Sequence, residues 1–373
     1  MAFSGDDRAA PTVEAPAQLN EHTIVLKQLP GEGAAPKFGG TELYDGCSLL
    51  TVEELGQLGM RLHPRAEVEH GYLDGDVPAA PARMATTSSC VYYLSNQSRV
   101  SVDVYQTPRN TPGMLTERLV ASAKDAAVRD EHGLKIAVWQ DEDFQYWRFH
   151  VARSGLLVEG EIWTKAVPAE GFRARTDQFG EFTAEEFTNE VSSFIAGKVN
   201  EGPTAPARHV YDAPFQGTKP VCEVASAAAG TGSAVMITAT YKAGADETSI
   251  GKPGEKAFRT ATSCDRSDLQ GHRQLKVALD LWDEPAGATF SNSALCDPAN
   301  AYLTNPPPIR IDPSFGTGQT CLFNAFSANW DLVFQVDEVG VHMSTGWFDD
   351  PTTPEERRAQ LIPVAPAVVQ ALR

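Results

Sequence analysis

Six cysteines, Cys47, Cys90, Cys222, Cys264, Cys296 and Cys321, constrain this chain more than any other feature. The first two lie 43 positions apart and the next two 42. The approach to the second member of each pair also repeats: Thr86-Thr87-Ser88-Ser89-Cys90 against Thr260-Ala261-Thr262-Ser263-Cys264. A repeat of this kind implies a duplicated unit with one staple per copy. No Cys-x-x-Cys occurs, and a zinc site ordinarily draws on such a close pair, so the spacing favours disulfides. The duplication selects Cys47–Cys90 and Cys222–Cys264, which leaves Cys296–Cys321 as the third bridge. Disulfides persist where the surroundings are oxidising, so an extracytoplasmic location is expected.

At 373 residues the chain has room for two domains. Hydrophobic residues at 42% supply cores, and charged residues at 21% are too few for wholesale disorder. The net charge of −18 disfavours nucleic acid and anionic membrane surfaces, which repel it. No run approaches the ~20 apolar residues that span a bilayer. The start, Met1-Ala2-Phe3-Ser4-Gly5-Asp6-Asp7, lacks the basic and apolar segments of an export signal, so a secreted protein would have had that signal removed or replaced. Residues 1–40, rich in Ala, Pro, Gly and acid, read as a flexible tether to a membrane anchor.

Domain 1 is expected over 41–200. Thr51-Val52-Glu53-Glu54 is a capping box opening a short helix. Residues 61–85 carry Pro64, Pro78 and Pro81 and read as irregular. Two strands flank a turn at Ser95-Asn96-Gln97-Ser98, a helix is expected from Pro112 to Glu131, and strands over 135–140, 144–151 and 156–165 follow. A second box, Thr183-Ala184-Glu185-Glu186, opens a closing helix with Phe187, Val191, Ile195 and Val199 at helical spacing. A linker over 201–208 leads to domain 2, 209–373. It repeats the order through a small-residue helix at Ala225–Ala229 and strands at 275–282, 321–324, 330–336 and 341–347. It ends on a third box at Thr353-Pro354-Glu355-Glu356, with Pro363 and Pro366 dividing the final helix. The long helix has no counterpart in domain 2; Phe290–Gly318 reads instead as a Pro-rich loop, closed by Cys296–Cys321 (296–321). The expected class is α+β: two related, disulfide-stapled domains, each an antiparallel sheet packed by helices.

Cys47-Ser48-Leu49-Leu50-Thr51-Val52-Glu53-Glu54, with a second cysteine at the head of a strand, resembles a family of actinobacterial envelope lipoproteins of unknown function. Their hallmark is a Cys-x-Leu-Leu-Thr-x-Glu-Glu segment after a lipid-anchored cysteine and a tether. The resemblance covers Tyr44 to Asn200; around Cys222 only the cysteine is kept, and the lipid-bearing cysteine is absent. It implies a stapled α+β domain in the cell envelope, and carries over no catalytic residue.

The chain offers little chemistry. Gly230-Thr231-Gly232-Ser233-Ala234 lacks the last glycine of a serine-hydrolase elbow. There is no His-Glu-x-x-His and no P-loop. His63, Glu67, Glu69, His70, Asp74 and Asp76 form the best metal candidate but do not fit a calcium loop, and an acidic surface loop is the simpler reading. Phe144, Tyr146 and Trp147 are the candidate partner surface, with alternation placing Tyr146 and Trp147 on opposite faces. These readings point to a non-enzymatic binding protein of the cell envelope or cell surface. It would have no catalytic, cofactor or metal residues, and its partner would be an envelope protein or a glycan, not nucleic acid. A carrier of a small apolar ligand or lipid, or an unrecognised hydrolase, are the alternatives.

Overall fold

The computed structural model describes residues 26–63, 67–77, 85–106, 126, 128–141, 146–164, 178–229, 235–251, 254–269, 271–299, 306–312, 314–324, 330–345 and 353–373. It is α+β and mostly antiparallel. In chain order the first half contains β1 (Leu26–Leu29), β2 (Lys37–Phe38), β3 (Thr41–Glu42), α1 (Gly46–Leu49), α2 (Val52–Gln57), β4 (Glu67–Asp74), β5 (Ala85–Tyr93) and β6 (Arg99–Gln106). It continues through β7 (Val128–Glu131), β8 (Leu134–Asp141), β9 (Tyr146–Arg153), β10 (Leu156–Trp163), β11 (Gln178–Phe179), β12 (Phe182–Thr183) and α3 (Ala184–Glu201). The second half contains β13 (Arg208–Tyr211), α4 (Val221–Ala229), β14 (Val235–Lys242), β15 (Asp246–Ser249), β16 (Lys256–Ser267), β17 (Arg273–Trp282) and α5 (Pro285–Cys296). After these come β18 (Ile309–Arg310), β19 (Cys321–Phe323), β20 (Asp331–Val336), β21 (Val339–Ser344), α6 (Pro354–Leu361) and α7 (Ala365–Leu372).

One 15-stranded sheet crosses both halves. The first half runs β4-β5-β6-β10-β9-β8-β7 outward from the middle, and the second runs β14-β16-β17-β21-β20-β19-β18, with β15 pairing β16 off this path. The halves meet where β4 pairs antiparallel with β14, from Val235 opposite Asp74 to Lys242 opposite Glu67. Each half therefore reads outward in the same sequence of strands, and pairing across the seam removes what would otherwise be an open edge on each.

Strand alternation divides the sheet into two faces. The core face carries Val68, Val100, Val102, Phe149, Val158, Ile237, Val277, Leu279, Phe334 and Val341, all buried under α1, α3, α4 and α7. Helix α3 has its capping box: Thr183 accepts from the Glu186 N–H and Glu186 accepts from the Thr183 N–H. Phe187, Val191, Ile195 and Val199 line one side of it, fully buried, and Phe187 stacks on Phe179 with centroids 4.6 Å apart. Gly160 is required on β10, because a Cβ there would sit 1.9 Å from the Phe149 ring that crosses the strand. The third box caps α6 through Thr353 and Glu356. Pro366 lies in the first turn of α7, where a missing N–H costs nothing.

All three expected disulfides form, with Cα–Cα distances of 5.0, 5.1 and 5.6 Å. Cys47 on α1 is tied to β5 and Cys222 on α4 to β16, so each half staples a helix to the equivalent strand.

Several expectations are corrected. The tether does not extend to residue 40: Leu26–Leu29 pairs with Arg208–Tyr211 and is part of the fold. The segment 61–85 is not irregular throughout, since β4 runs through it; its ladder bonds to β5 and β14 outweigh its poor strand composition. Val128–Glu131 is a strand paired with β8, not the end of a helix; residues 107–125 lie outside the described residues. The second half does have a helix after its third inner strand. Pro285–Cys296 is α5, with Pro at its first turn, so the segment read as loop from Phe290 is helical as far as Cys296.

Candidate functional site

Among the described residues, a buried polar cluster is built on Asp45, which stands just before α1 and caps it. Its Oδ2 accepts from the Ser48 N–H at 3.0 Å and the Ser48 hydroxyl at 2.9 Å. Because α1 lies on the sheet, the other carboxylate oxygen reaches β4 and β5, where it meets His70 Nε2 at 2.7 Å and accepts from the Ser88 hydroxyl at 2.9 Å. Oδ2 also accepts from the Ala207 N–H at 3.0 Å, on the segment that carries the chain from α3 to β13. Burial alone would raise the Asp45 pKa. The adjacent His70 and the hydrogen bonds from His70, Ala207 and Ser48 outweigh it and hold the carboxyl at about 2.

His209, on β13, completes the cluster over the seam. Its ring meets His70 edge-on at 5.3 Å and stacks on Tyr241 of β14 at 4.6 Å. Burial, reinforced by His70 and only partly opposed by Asp45, lowers its pKa to about 3, so it is a neutral imidazole at neutral pH. Tyr72 and Tyr241 flank the pair and are held above the ordinary phenol range by burial.

An Asp–His pair is part of a hydrolytic triad, which also needs a nucleophile on the imidazole and a path for substrate. Here His70 is fully buried, and the nearby Ser88 bonds the carboxylate and the Gly71 carbonyl. The cluster holds α1, β4, β5 and the crossing segment to one another. Asp45 and His209 were not singled out in the sequence; a lone Asp before a four-residue helix carries no signal of its long-range partners.

The metal candidates are dispersed by strand alternation. His70 points into the core, while Glu67 and Glu69 point out on the other face of β4. Asp74 lies 3.4 Å from Arg266, and Asp76 accepts from the Lys37 N–H. Among the described residues no group of three or more His, Cys, Asp or Glu converges. Phe144 and the Gly230–Ala234 segment lie outside the described residues. Tyr146 and Trp147 occupy opposite faces: Trp147 packs on the core. Tyr146 packs on Trp163 at 4.7 Å, with the Arg148 guanidinium 4.7 Å from its ring and Arg148 bonded to Glu161 at 2.9 Å.

The second face of the sheet offers a different feature. On β14, β16 and β17 it carries Thr238, Thr240, Ala261, Ser263 and Ala278, with Glu69 alongside on β4, and these are partly or fully exposed. Four strands about 4.8 Å apart make a floor roughly 15 Å across. Its side chains are short, and Lys242, Lys276, His342, Asp265 and Asp280 stand around it at intermediate exposure. Helix α5 bounds it at one end, packing Ala288 on Trp282 and Ala257.

No family model, no curated protein and no solved structure matches this chain. What the structure itself defines is an α+β, mostly antiparallel, disulfide-bonded protein. Three disulfides indicate an oxidising, extracytoplasmic environment. No helix among the described residues is long and apolar enough to cross a membrane.

Proposed function

We propose that this is a non-enzymatic binding protein of the cell envelope or cell surface, built from two copies of one stapled unit and presenting the open floor of its joined sheet to a protein or glycan partner. The observation that carries this reading is the floor itself. It is a wide surface of mostly short side chains, stapled on both sides of the seam. Such a surface can be covered by a partner without displacing long, mobile side chains, which lowers the entropy cost of association. The shared outward order of strands and the equivalent staples support the duplication. The Asp45–His70 pair, sealed and committed to holding the chain together, supports a role without catalysis. A lipoprotein-like tether ahead of Leu26 belongs to the same proposal and rests on the Cys-x-Leu-Leu-Thr-x-Glu-Glu segment alone.

The test is capture from gently extracted envelopes with the wild-type chain and with Thr238→Arg/Ser263→Arg, which fills the floor with two long cations. The variant is expected to lose the captured partner while keeping its melting temperature. Equal capture by both forms would remove the floor from consideration.

A further inference from the structure

A cavity of about 650 Å³ lies away from the open floor, beside the β9–β10 turn, with Lys37, Glu42, Tyr44, Gln106, Arg153 and Ser154 among the residues around it. We propose that it binds a small ligand through a carboxylate or phosphate group, with Arg153 as the principal contact. This goes beyond the surface-binding role and does not depend on it.

Arg153 ends β9, and its Nη2 donates to the Tyr44 hydroxyl. Tyr44 is buried and its hydroxyl in turn donates to the Val199 carbonyl at 2.8 Å, so the phenol is fixed before any ligand arrives. The Arg153 guanidinium lies 5.5 Å from the Tyr44 ring centroid, which orients the fork without neutralising it. No carboxylate among the described residues lies within 4.0 Å of Arg153. A guanidinium carries five N–H donors, and one is spent on Tyr44. Lys37 adds a second cation; Glu42, which also lines the cavity, pairs with it at 4.0 Å, and both side chains are substantially solvent-exposed. Gln106 also lines the cavity, and its amide is used on both sides: it accepts from the Tyr44 N–H at 2.6 Å and donates to the Glu42 carbonyl at 3.1 Å.

Charge explains why the site is selective. The chain as a whole carries −18, and its general field repels anions. Screening confines that field to about 10 Å at moderate salt, so the local excess of Arg153 and Lys37 over Glu42 decides what enters. The volume lies within the range of small-molecule sites, roughly 300–1,000 Å³. Carboxylate and phosphate both match a guanidinium fork in two-point geometry.

The experiment is isothermal titration calorimetry on the full chain at low salt, with inorganic phosphate as one probe and succinate as the other. At least one probe is expected to bind saturably. Arg153→Gln should weaken it about tenfold or more, Lys37→Gln by less, and Lys135→Gln, on β8 outside the cavity, not at all. Preference for phosphate or for succinate identifies the ligand group. Lys37 is an exposed residue, so K37Q keeps a readout should R153Q be poorly folded. The proposal is overturned if neither probe saturates, or if R153Q and K37Q bind as K135Q does.

Discussion

The two halves can be laid on one another through their staples, and the positions around those staples differ in one consistent way. His70 stands opposite Cys90 across the β4–β5 ladder, and Ala239 stands opposite Cys264 across β14–β16. Two residues before each strand cysteine lie Ser88 and Thr262, whose hydroxyls bond equivalent carbonyls, Gly71 at 2.8 Å and Thr240 at 3.1 Å. Two residues before each helix cysteine lie Asp45 and Pro220. The first half thus has Asp45, His70 and Ser88 where the second has Pro220, Ala239 and Thr262. The second half carries no charge at the matching positions. The buried charge is found where the chain crosses between the halves, and its extra bond is to Ala207 on that crossing segment. The close approach of helix to sheet follows the same division. Gly46 has no room for a Cβ, which would lie 2.9 Å from the Val102 carbonyl, whereas its counterpart is Val221.

Removing a staple should have the largest effect, and nearly the same one in each half. Loops of 43 and 42 residues predict a loss of about 4 kcal/mol for Cys47→Ala/Cys90→Ala and for Cys222→Ala/Cys264→Ala, and about 3.5 kcal/mol for the 25-residue Cys296–Cys321 loop. Urea unfolding of the three double variants measures this. A first-half staple worth less than half of the second would break the equivalence.

Asp45→Ala comes next. It leaves the Ala207 N–H and His70 without their acceptor in a buried site, at a cost of about 3 kcal/mol or more. Pro220→Ala, at the matching position, should change stability by no more than about 0.5 kcal/mol. Urea midpoints that move equally for the two variants would show that the buried charge serves no special role at the crossing.

These contrasts mark where sequence reading succeeds. The cysteine spacing, the three capping boxes and the alternation of Val100, Val102 and Val104 are local or periodic signals, and the structure bears them out. Strand β4 escaped because its outward face opens with Glu67 and Glu69, its exposed last residue is Asp74, and prolines flank it; only its neighbours on both sides make it a central strand. The joined sheet depends on pairing between residues more than 150 positions apart, for which a single sequence holds no mark. The floor of short side chains is equally silent, since Thr, Ser and Ala on alternate positions read as an ordinary solvated face. Only the location of α5 and the seam make it a bounded surface.

A pH titration separates the seam from the rest of the core. His209 has a folded pKa near 3 against about 6.5 unfolded. A depressed folded value means that its contribution is complete above pH 6.5 and is lost as pH falls from there toward 3. The loss approaches about 1.4 kcal/mol per pH unit. Asp45 adds a second loss only below about pH 4, as pH falls toward its folded value near 2. Unfolding free energy measured between pH 7 and 4.5 should therefore fall in the wild type and fall less in His209→Phe, which keeps a ring over Tyr241. Parallel curves for the two proteins would place the acid sensitivity elsewhere.

The smallest effect is the most direct comparison of the two units. Thr262→Val removes a single hydroxyl bond to the Thr240 carbonyl and fills the same volume, so it should cost about 1 kcal/mol or less. Ser88→Ala removes the matching bond but also the acceptor of the Gly46 N–H at 2.9 Å and the donor to Asp45. It should cost about 2 kcal/mol, because a buried N–H is then left without a partner. The gap between them measures what the bonds to Gly46 and Asp45 add at Ser88. Were the two losses equal, the Asp45 cluster would contribute no more at Ser88 than an ordinary strand hydroxyl does at Thr262.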